Sequence, residues 1–198
     1  MKKIMFDDRF DLTKRVLRHT KTMTRRIVKF ANGFDYKSVQ QLDMVLDDKT
    51  GQVVIKNGTA VVARSPYNVG EVVAIAQSYK DIYLNSGSLY KIGILGRTAG
   101  WRNKMFVCAD DMPHHIKITG VNIEHLQNIT EEDCSKEGIR IWDHDYNPFP
   151  PAYDFVHSPK SCYETAREAF ASLIDLVSGK GTWDSNPLVW VYSFELIS

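Results

Sequence analysis

The strongest pattern in the chain is the alternation of apolar and other side chains over LVWVYSFEL, Leu188–Leu196. A period of two residues is typical of a β-strand, so a strand is predicted here. Ahead of it, six apolar residues recur at helical spacing and predict a helix that ends at Gly179. Ser161 and Glu164 form a capping-box pair at the predicted start of that helix. The six apolar residues are Ala166, Ala169, Phe170, Leu173, Ile174 and Val177.

Shorter apolar runs predict further strands in the middle of the chain. QVVI and AVVA flank KNGT at 56–59, and an Asn-Gly pair between two such runs is a strong signal for a β-hairpin. VVAIA follows the turn SPYNVGE and predicts a short buried strand. IKITGVNIEHL, residues 116–126, predicts a half-buried strand with a bulge at Gly120.

The N-terminal segment predicts a short helix followed by a strand. Residues 8–19 fit a helix capped by Asp8 or Asp11. HTKTMTRRIV then favours an extended strand, because threonine and β-branched residues prefer that conformation. If Lys21 lies at the bend between the two, its long side chain can reach the face that carries Thr24. Strand alternation places Thr22, Thr24 and Arg26 on one face and Lys21, Met23 and Arg25 on the other.

The remaining segments add one helix and two long connections. Thr130 opens T-E-E-D, a variant of the capping box, and predicts a helix that runs to about Glu137 and stops at Gly138. Residues 80–100 are predicted to be loop or irregular strand. Residues 141–160 contain four prolines and predict a long surface loop.

These elements predict an α+β fold. Five or six strands with three interspersed helices, without regular β-α-β alternation, favour a small mixed barrel over a doubly wound sheet. No repeat or linker divides the chain, so a single domain over residues 1–198 is predicted. It is interrupted by an inserted hairpin excursion around 31–69 and by the loop around 141–160.

Composition excludes several classes of protein. The 198 residues are 43% hydrophobic and 25% charged, with three cysteines, which excludes a disordered chain, a collagen and a disulfide-rich secreted module. No apolar run reaches the roughly 20 residues that a membrane-spanning helix needs, and MKKIMFDDRF lacks the apolar core of a signal peptide. Three scattered cysteines predict reduced thiols and a cytoplasmic protein without a membrane partner.

Charge is segregated along the chain although the formal net charge is only +1. Residues 1–30 carry a large excess of Lys and Arg over three Asp, whereas residues 131–154 are strongly acidic. One interpretation is a solvated helix face followed by a basic turn; the other is a surface that binds an anion. The neutral total argues against a long duplex-binding surface. It favours a small cleft that carries both positive and negative charges and binds one nucleotide or a short single strand.

The segment KTMTRR can carry chemistry of its own. A threonine hydroxyl becomes a nucleophile when a base takes its proton, and a desolvated lysine near other cations has a lowered pKa that suits this role. Two arginines beside them can hold an anion or a carbonyl oxygen. The same six residues also read as a plain basic strand, so spacing alone leaves both interpretations open.

Four segments, in this order, resemble ASCH domains, the activating-signal-cointegrator homology group of the PUA-like superfamily. The closest likeness is to the long ASCH proteins of phages and prophages. It covers nearly the whole chain apart from 31–69 and parts of 80–111 and 141–160. The segments are HTKTMTRR, VGEVVAIAQSY, MPHHIKITGVNIEHLQNITEEDCSKEGI and REAFASLIDLVSGKGTWDSNPLVWVYSFEL.

The resemblance implies a PUA-like pseudobarrel with a cleft for RNA or a nucleotide. It also implies a reaction, because a small bacterial ASCH protein is an amidohydrolase that removes the acetyl group from N4-acetylcytidine. Its base, nucleophile and proton donor match Lys21, Thr24 and Glu137. Arg26 matches the arginine two places beyond the threonine and is expected to hold the oxyanion, alone or with backbone N–H groups.

The sequence departs from the family pattern at three places. His19 stands where the family usually has glycine two places before the lysine. Ala74 to Gln77 replace a Trp-Val-Arg-Glu stretch, and His114 with His115 replaces a frequent Arg-Trp pair. A pocket with a different ligand is therefore expected.

Two further groups of residues are candidates for a site. Trp101 and Trp183 lie beside Gly100 and Gly181 in predicted loops and are expected at the cleft rim, where they can stack on bases. Cys108 with His114 and His115 could be drawn as a metal site. Adjacent histidines on a strand point to opposite faces, which is poor geometry for one tetrahedral ion. No metal and no cofactor are therefore predicted.

Three functions follow from these observations. The first is a module that binds single-stranded RNA or a modified nucleoside. The second is an amidohydrolase acting on an N4-acylated cytidine through Lys21, Thr24 and Glu137. The third is a phage-encoded interaction protein with a vestigial pocket. In the first function the cleft is built from Lys21, Thr22, Thr24, Arg25 and Arg26, with Glu137 opposite.

Overall fold

A computed structural model describes residues 1–31, 43–47, 52–57, 59–86, 99–142, 152–155 and 162–197. The described chain is an α+β fold built on a five-stranded mixed sheet. The strands are β1 (Lys3–Ile4), β2 (Met23–Ile27), β3 (Asp43–Asp47), β4 (Gln52–Asn57), β5 (Ala60–Arg64), β6 (Val72–Ile75), β7 (His115–His125), β8 (Arg140–Trp142), β9 (Ala152–Asp154) and β10 (Leu188–Leu196). The helices are α1 (Leu12–Leu17), α2 (Tyr79–Ser86), α3 (Glu131–Lys136), α4 (Ala166–Ser178) and α5 (Thr182–Ser185).

The main sheet has the order β1-β6-β7-β10-β2. The strand predicted over Leu188–Leu196 is confirmed as β10, which lies next to the edge strand β2 and pairs antiparallel with both β2 and β7. The predicted bulge is confirmed, because the β7–β10 register passes from Gly120 opposite Ser193 to Ile118 opposite Phe194. The sheet is the centre of an apolar core in which Ile116, Ile118, Trp190 and Tyr192 are fully buried.

The predicted hairpin is confirmed and belongs to a separate three-stranded sheet, β3-β4-β5. Its Ile55 and Val62 side chains are buried in the same apolar core as the main sheet. A hydrogen bond of 2.9 Å between Ser65 Oγ and the Tyr192 hydroxyl links the two sheets. The described part of the 31–69 excursion is therefore packed against the main sheet; residues 32–42, 48–51 and 58 lie outside the described residues.

Helix α3 begins and ends where its sequence predicts. The Thr130 side chain accepts a hydrogen bond of 3.1 Å from the Asp133 backbone N–H, and this satisfies a free donor of the first turn. Glu137 is the C-cap residue. Gly138 follows with φ +100°, a left-handed conformation that favours glycine.

Helix α4 also forms, but its predicted cap at Ser161 is wrong. Thr165 caps the helix and accepts from the Glu168 N–H at 3.1 Å. Thr165 and Glu168 have the same capping-box spacing as Ser161 and Glu164, and Thr165 directly precedes the first buried residue of the helix, Ala166. The pair closer to the apolar face sets the start of the helix.

Three other predictions need correction. The expected helix over 8–19 is divided into a 3-10 turn (Asp8–Phe10) and α1, because Asp11 between them has φ 54°. The predicted loop over 80–100 contains most of helix α2, anchored by the buried Tyr79 and Ile82. The predicted loop over 141–160 contains parts of the antiparallel pair β8–β9. Residues 87–98, 143–151 and 156–161 lie outside the described residues.

The main sheet curls so that its two edge strands approach each other. Arg26 on β2 donates a hydrogen bond to the carbonyl of Met5, just after β1. No backbone pairing joins β1 to β2 among the described strands, and they form no closed barrel. A cleft lies at this open seam. None of the described helices is long and apolar enough to cross a membrane.

Candidate functional site

The cleft at the seam has a volume of about 480 Å³, a size typical of small-molecule sites. One part of its lining is polar and comes from β2 and from the end of α3. Another part is aliphatic and aromatic and comes from α4 and the start of α1. The polar part contains Lys21, Thr24, Arg25, Arg26 and Glu137, and the apolar part contains Leu12, Phe170, Leu173, Ile174 and Val177. The structure thus brings the three predicted catalytic residues to one cleft.

A tight bend after α1 places Lys21 at the entry to β2. His19 adopts φ 58°, and the backbone N–H groups of Thr20 and Lys21 both donate to the carbonyl of Arg15. This bend follows the end of α1 at Leu17 and lets the Lys21 side chain run towards the end of α3. Both Lys21 and Thr24 line the cleft, which agrees with the expectation that a lysine at the bend shares a site with Thr24.

Lys21 and Glu137 form a buried ion pair. The Lys21 Nζ lies 2.6 Å from Glu137 Oε2 and 2.7 Å from the Glu137 backbone carbonyl, and the two residues are only 2% and 4% exposed. Burial lowers the pKa of the Lys21 ammonium. The Glu137 carboxylate opposes that shift, whereas Arg26 and Arg25 add to it. Lys21 therefore loses its proton more easily than an exposed lysine does.

Arg25 is surrounded by three carboxylates. Its Nη1 lies 3.2 Å from Glu137 Oε1, its Nη2 2.9 Å from Asp133 Oδ2, and its Nε 2.8 Å from Glu124 Oε1. Burial lowers the pKa of Arg25, but the three carboxylates outweigh it and leave the pKa raised. Arg25 therefore joins β2, β7 and α3 and holds Glu137 from the side opposite Lys21.

Arg26 has a different environment although it is the next residue. Its guanidinium donates to the Met5 carbonyl and lies 5.7 Å from the centre of the Phe6 ring. No carboxylate within the described part of the chain forms an ion pair with it. Burial lowers the pKa of Arg26. The half-buried cation at the seam thus faces a carbonyl and a ring in place of an anion.

Thr24 lies in the middle of β2, opposite Tyr192 on β10. The residue is buried and lines the cleft beside Lys21. Among the described residues, none forms a hydrogen bond with the Thr24 hydroxyl. The hydroxyl is therefore available to a base or to a ligand.

Three other predicted binding residues lie outside the cleft lining. Thr22 is fixed through its backbone, which donates to Lys136 and accepts from Phe194. Trp101 packs against a separate apolar cluster around Tyr79 and Ile82, and its ring centre lies 6.1 Å from that of Tyr83. Trp183 on α5 packs edge-to-face on Phe170 at 6.2 Å, and Arg167 lies 5.7 Å from its ring. None of the three lines the seam.

Several residues of the site could not be assigned to it from the sequence. Arg15 is buried and donates to the backbone carbonyls of Gly138 and Phe155, so it holds the turn that follows Glu137. A Cβ on Gly138 would lie 3.1 Å from Arg15 Cδ, which adds a second reason for glycine there. Phe6 and Tyr67 also line the cleft. Only the glycine and its place after an acidic helix could have indicated this packing.

Cys108, His114 and His115 are the residues considered above for a metal site. Within the described ranges, no group of three or more His, Cys, Asp or Glu side chains is arranged to hold a metal ion. Cys108, the thiol considered for a metal site, is exposed. His115 lies on β7, opposite Ala74 of β6.

Comparisons of the chain with protein-family models, with curated protein sequences and with solved structures found no match.

Proposed function

We propose that this chain binds a nucleoside or a short single-stranded RNA in the cleft at the seam of its sheet. The observation that carries the proposal is the convergence of Lys21, Thr24, Arg26 and Glu137 on one cleft of about 480 Å³. These residues come from β2 and from the end of α3, more than 100 positions apart in the sequence. They supply donors, acceptors and charge of both signs to one ligand.

The charge of the lining supports a ligand with anionic character. The residues that line the cleft include six cations and two carboxylates. Lys21, Arg25 and Arg64 are paired with carboxylates, whereas Arg26 and Lys29 have no carboxylate partner among the described residues, so these two attract a ligand of opposite charge. The cations are Lys3, Lys21, Arg25, Arg26, Lys29 and Arg64, and the carboxylates are Asp7 and Glu137.

The remaining lining supports a ligand with a flat apolar part. Tyr67 offers an aromatic ring, and α4 offers Ile174 and Val177. Aromatic rings stack on nucleobases of any sequence. A nucleoside places such a base next to hydroxyl groups, so its two parts match the two kinds of lining.

We also propose that the fold is a PUA-like pseudobarrel of the ASCH type. The curled five-stranded sheet, with β1 and β2 linked by Arg26 and the Met5 carbonyl, supports this. The first and last strands of the chain share that sheet, which supports the single domain over 1–198. An interaction protein with a vestigial pocket is less well supported, since the cleft holds the complete set of matched residues.

Ligand titration tests the binding proposal. Calorimetric titration with cytidine, N4-acetylcytidine and a short single-stranded RNA at low salt is expected to show binding of at least one of them. Thr24→Val and Lys21→Met are expected to weaken binding about tenfold, the loss typical of one hydrogen bond to a charged or buried group. Thr22→Val is the matched control, because Thr22 has the same side chain on the same segment outside the cleft. Absence of heat with all three ligands would reject the proposal.

A second candidate function is hydrolysis of an acyl amide on a cytidine-type base. The observation that favours it is the 2.6 Å contact between Lys21 Nζ and Glu137 Oε2 beside Thr24. Transfer of one proton along this contact converts the ion pair into a neutral amine and a carboxylic acid. The site then holds a base and an acid at once, without exchange of a proton with solvent.

The protons balance over a full cycle of this reaction. The Lys21 amine takes the Thr24 proton, the Thr24 oxygen attacks the acyl carbon, and the Glu137 acid protonates the departing amine of the base. Thr24 is left as an ester and the ion pair is restored. Glu137 then takes a proton from water, the hydroxide attacks the ester, and Lys21 returns a proton to the Thr24 oxygen.

Mass spectrometry and product analysis test this second function. The protein is expected to convert N4-acetylcytidine to cytidine and acetate, and an acetyl ester on Thr24 is expected during turnover. Thr24→Val and Glu137→Gln are expected to lower the rate by a factor of about 100 or more, within the range for general acid–base groups. Equal turnover by Thr24→Val would exclude the assigned nucleophile, and Thr22→Val again serves as the control.

A further inference from the structure

We infer that the ligand of this cleft carries a phosphate group, which Arg26 binds together with Lys29. The inference rests on the proposed function and adds to it the class of ligand: a nucleotide in place of a neutral nucleoside. It follows from the uncompensated charge of Arg26 and from the side chains that remain available around it.

Arg26 is a half-buried guanidinium without a counter-ion among the described residues. A cation that is removed from water costs free energy unless an anion or hydrogen bonds replace the water. Among the described residues, its hydrogen bonding is limited to the contact of Nη2 with the Met5 carbonyl. The Phe6 ring offsets part of the cost. The two other guanidinium nitrogens remain available to a ligand at the seam.

The two carboxylates that line the cleft already bind other cations, and Asp7 binds Arg9 at 2.6 Å. Glu137 binds Lys21 through Oε2 and Arg25 through Oε1. Arg26 feels the charge of Glu137, but Glu137 is already paired with two other cations and forms no ion pair with Arg26. An anion that neutralises Arg26 therefore has to enter with the ligand.

Lys29 is the second cation available for the phosphate. It is exposed, lines the same cleft three residues beyond Arg26, and makes no ion pair within the described residues. The other cations of the outer lining are engaged, since Arg64 binds Asp47 at 2.9 Å and Lys3 donates to the Met105 and Val107 carbonyls at 2.6 Å. The anion is thus expected at the Arg26 and Lys29 side of the cleft.

A phosphate group suits these two side chains. A guanidinium presents paired N–H donors that match two oxygens of one phosphate, and a lysine adds a point charge. Nucleotides and RNA strands both place a phosphate next to a base. The Thr24 side of the cleft would then contact the base while Arg26 and Lys29 contact the phosphate.

Calorimetric titration with four probes tests the inference: cytidine, cytidine 5′-monophosphate, the dinucleoside monophosphate CpC and inorganic phosphate. Cytidine 5′-monophosphate or CpC is expected to bind about tenfold tighter than cytidine, as for one charge-assisted contact. Inorganic phosphate is expected to compete with the tighter probe. Tighter binding of the monophosphate alone indicates that the ligand is a free nucleotide. Tighter binding of CpC indicates that the ligand is an RNA strand, and either result supports the inference.

Two variants locate the contact. Arg26→Gln and Lys29→Gln are each expected to weaken binding of the phosphorylated probe more than binding of cytidine, so that the two affinities become similar; Lys29→Gln is expected to leave the affinity for cytidine within about twofold. Arg18→Gln is the matched control, because Arg18 is an exposed arginine outside the cleft lining. Arg26→Lys keeps the charge and checks the result if Arg26→Gln is poorly folded; it is expected to retain part of the gain.

The outcomes separate this inference from the proposed function. Equal affinities for cytidine and both phosphorylated probes would overturn the inference and leave the proposed function standing. An equal loss of both affinities in Arg26→Gln would also overturn it, because Arg26 would then contact the base or shape the cleft. No binding of any probe would overturn both.

Discussion

Arg25 and Arg26 are neighbours on β2, yet only Arg25 is paired with carboxylates among the described residues. Three carboxylates from β7 and α3 contact Arg25. A carbonyl and a phenyl ring contact Arg26. Side chains of successive strand residues point to opposite faces, so one arginine enters the packed junction of β2 with α3 while the other enters the open seam.

The difference separates a structural charge from a charge available for function. Arg25 is needed to keep Glu124, Asp133 and Glu137 together, so its removal affects the fold. Arg26 is compensated only in part, so its removal affects what the cleft can bind. The four variants below test this division, beginning with the largest expected change.

Arg25→Met is expected to lower the free energy of unfolding by about 3–5 kcal/mol, because it leaves carboxylates at a buried site without their cation. Urea denaturation followed by tryptophan fluorescence measures this loss. A loss below about 1 kcal/mol would show that Arg25 is no more structural than an exposed arginine.

Glu137→Gln is expected to cost about 2–3 kcal/mol near neutral pH, since Lys21 then loses its counter-ion in a buried site. The pKa of Lys21 in the folded protein is already lowered from its ordinary value of 10.5 by burial, and this variant lowers it further. Between the folded pKa and the unfolded value, the unfolded chain binds more protons, so stability rises with pH in that window.

Urea denaturation of Glu137→Gln and of the unmodified protein between neutral pH and about pH 10 measures this second effect. The deficit of the variant is expected to shrink as pH rises, because the Lys21 ammonium loses its proton. A deficit of the same size at every pH would show that Lys21 does not titrate in response to Glu137. Asp133→Asn is a useful control, because Asp133 contacts Arg25 without contacting Lys21.

Arg26→Gln is expected to change the free energy of unfolding by less than about 1 kcal/mol in the absence of ligand. Arg26 has no anionic partner in the part of the chain that the structure describes, so its removal eliminates a desolvation cost as well as the contact with Met5. Urea denaturation beside Arg25→Met gives the direct comparison. A loss as large as that of Arg25→Met would abolish the distinction between the two arginines.

Lys136→Gln is expected to leave stability unchanged within the error of denaturation. Lys136 is exposed and binds Glu132 and Asp133, and exposed ion pairs contribute little. Asp133 therefore depends on Arg25 rather than on Lys136. A clear loss in this variant would extend the structural network to the surface of α3.

The sequence predicted the elements that depend on local chemistry. The alternation of β10, the bulge at Gly120 and the cap at Thr130 are set by residues within a few positions of one another, so each is legible in a short window. Helix α2 had such a signal too, because Ser78 Oγ accepts from the Asp81 N–H at 3.1 Å. The glycines that follow it favoured a loop and hid that signal.

The site was predictable only in part. Lys21, Thr24 and Glu137 were matched through the resemblance, and the structure places them in one cleft. No local pattern indicates that Arg25 reaches Glu137, 112 positions away, or that Arg15 holds the Gly138 carbonyl. Such contacts depend on the packing of distant elements. Trp101 and Trp183 were predicted at the cleft rim, but both lie outside the cleft lining. A tryptophan beside a loop glycine can pack on a neighbouring ring as readily as it can line a cleft, so its position was not predictable from the sequence.

The position of β2 in the sheet has a consequence for synthesis of the chain. Among the described strands, β2 pairs with β10 alone, and β10 is the last of these strands to be synthesised. Until then, the segment that carries Lys21 and Thr24 has no strand to pair with, and pairing over such a separation forms slowly. The cleft is thus assembled at the end of folding, so an incomplete chain has no finished site with which to capture its ligand.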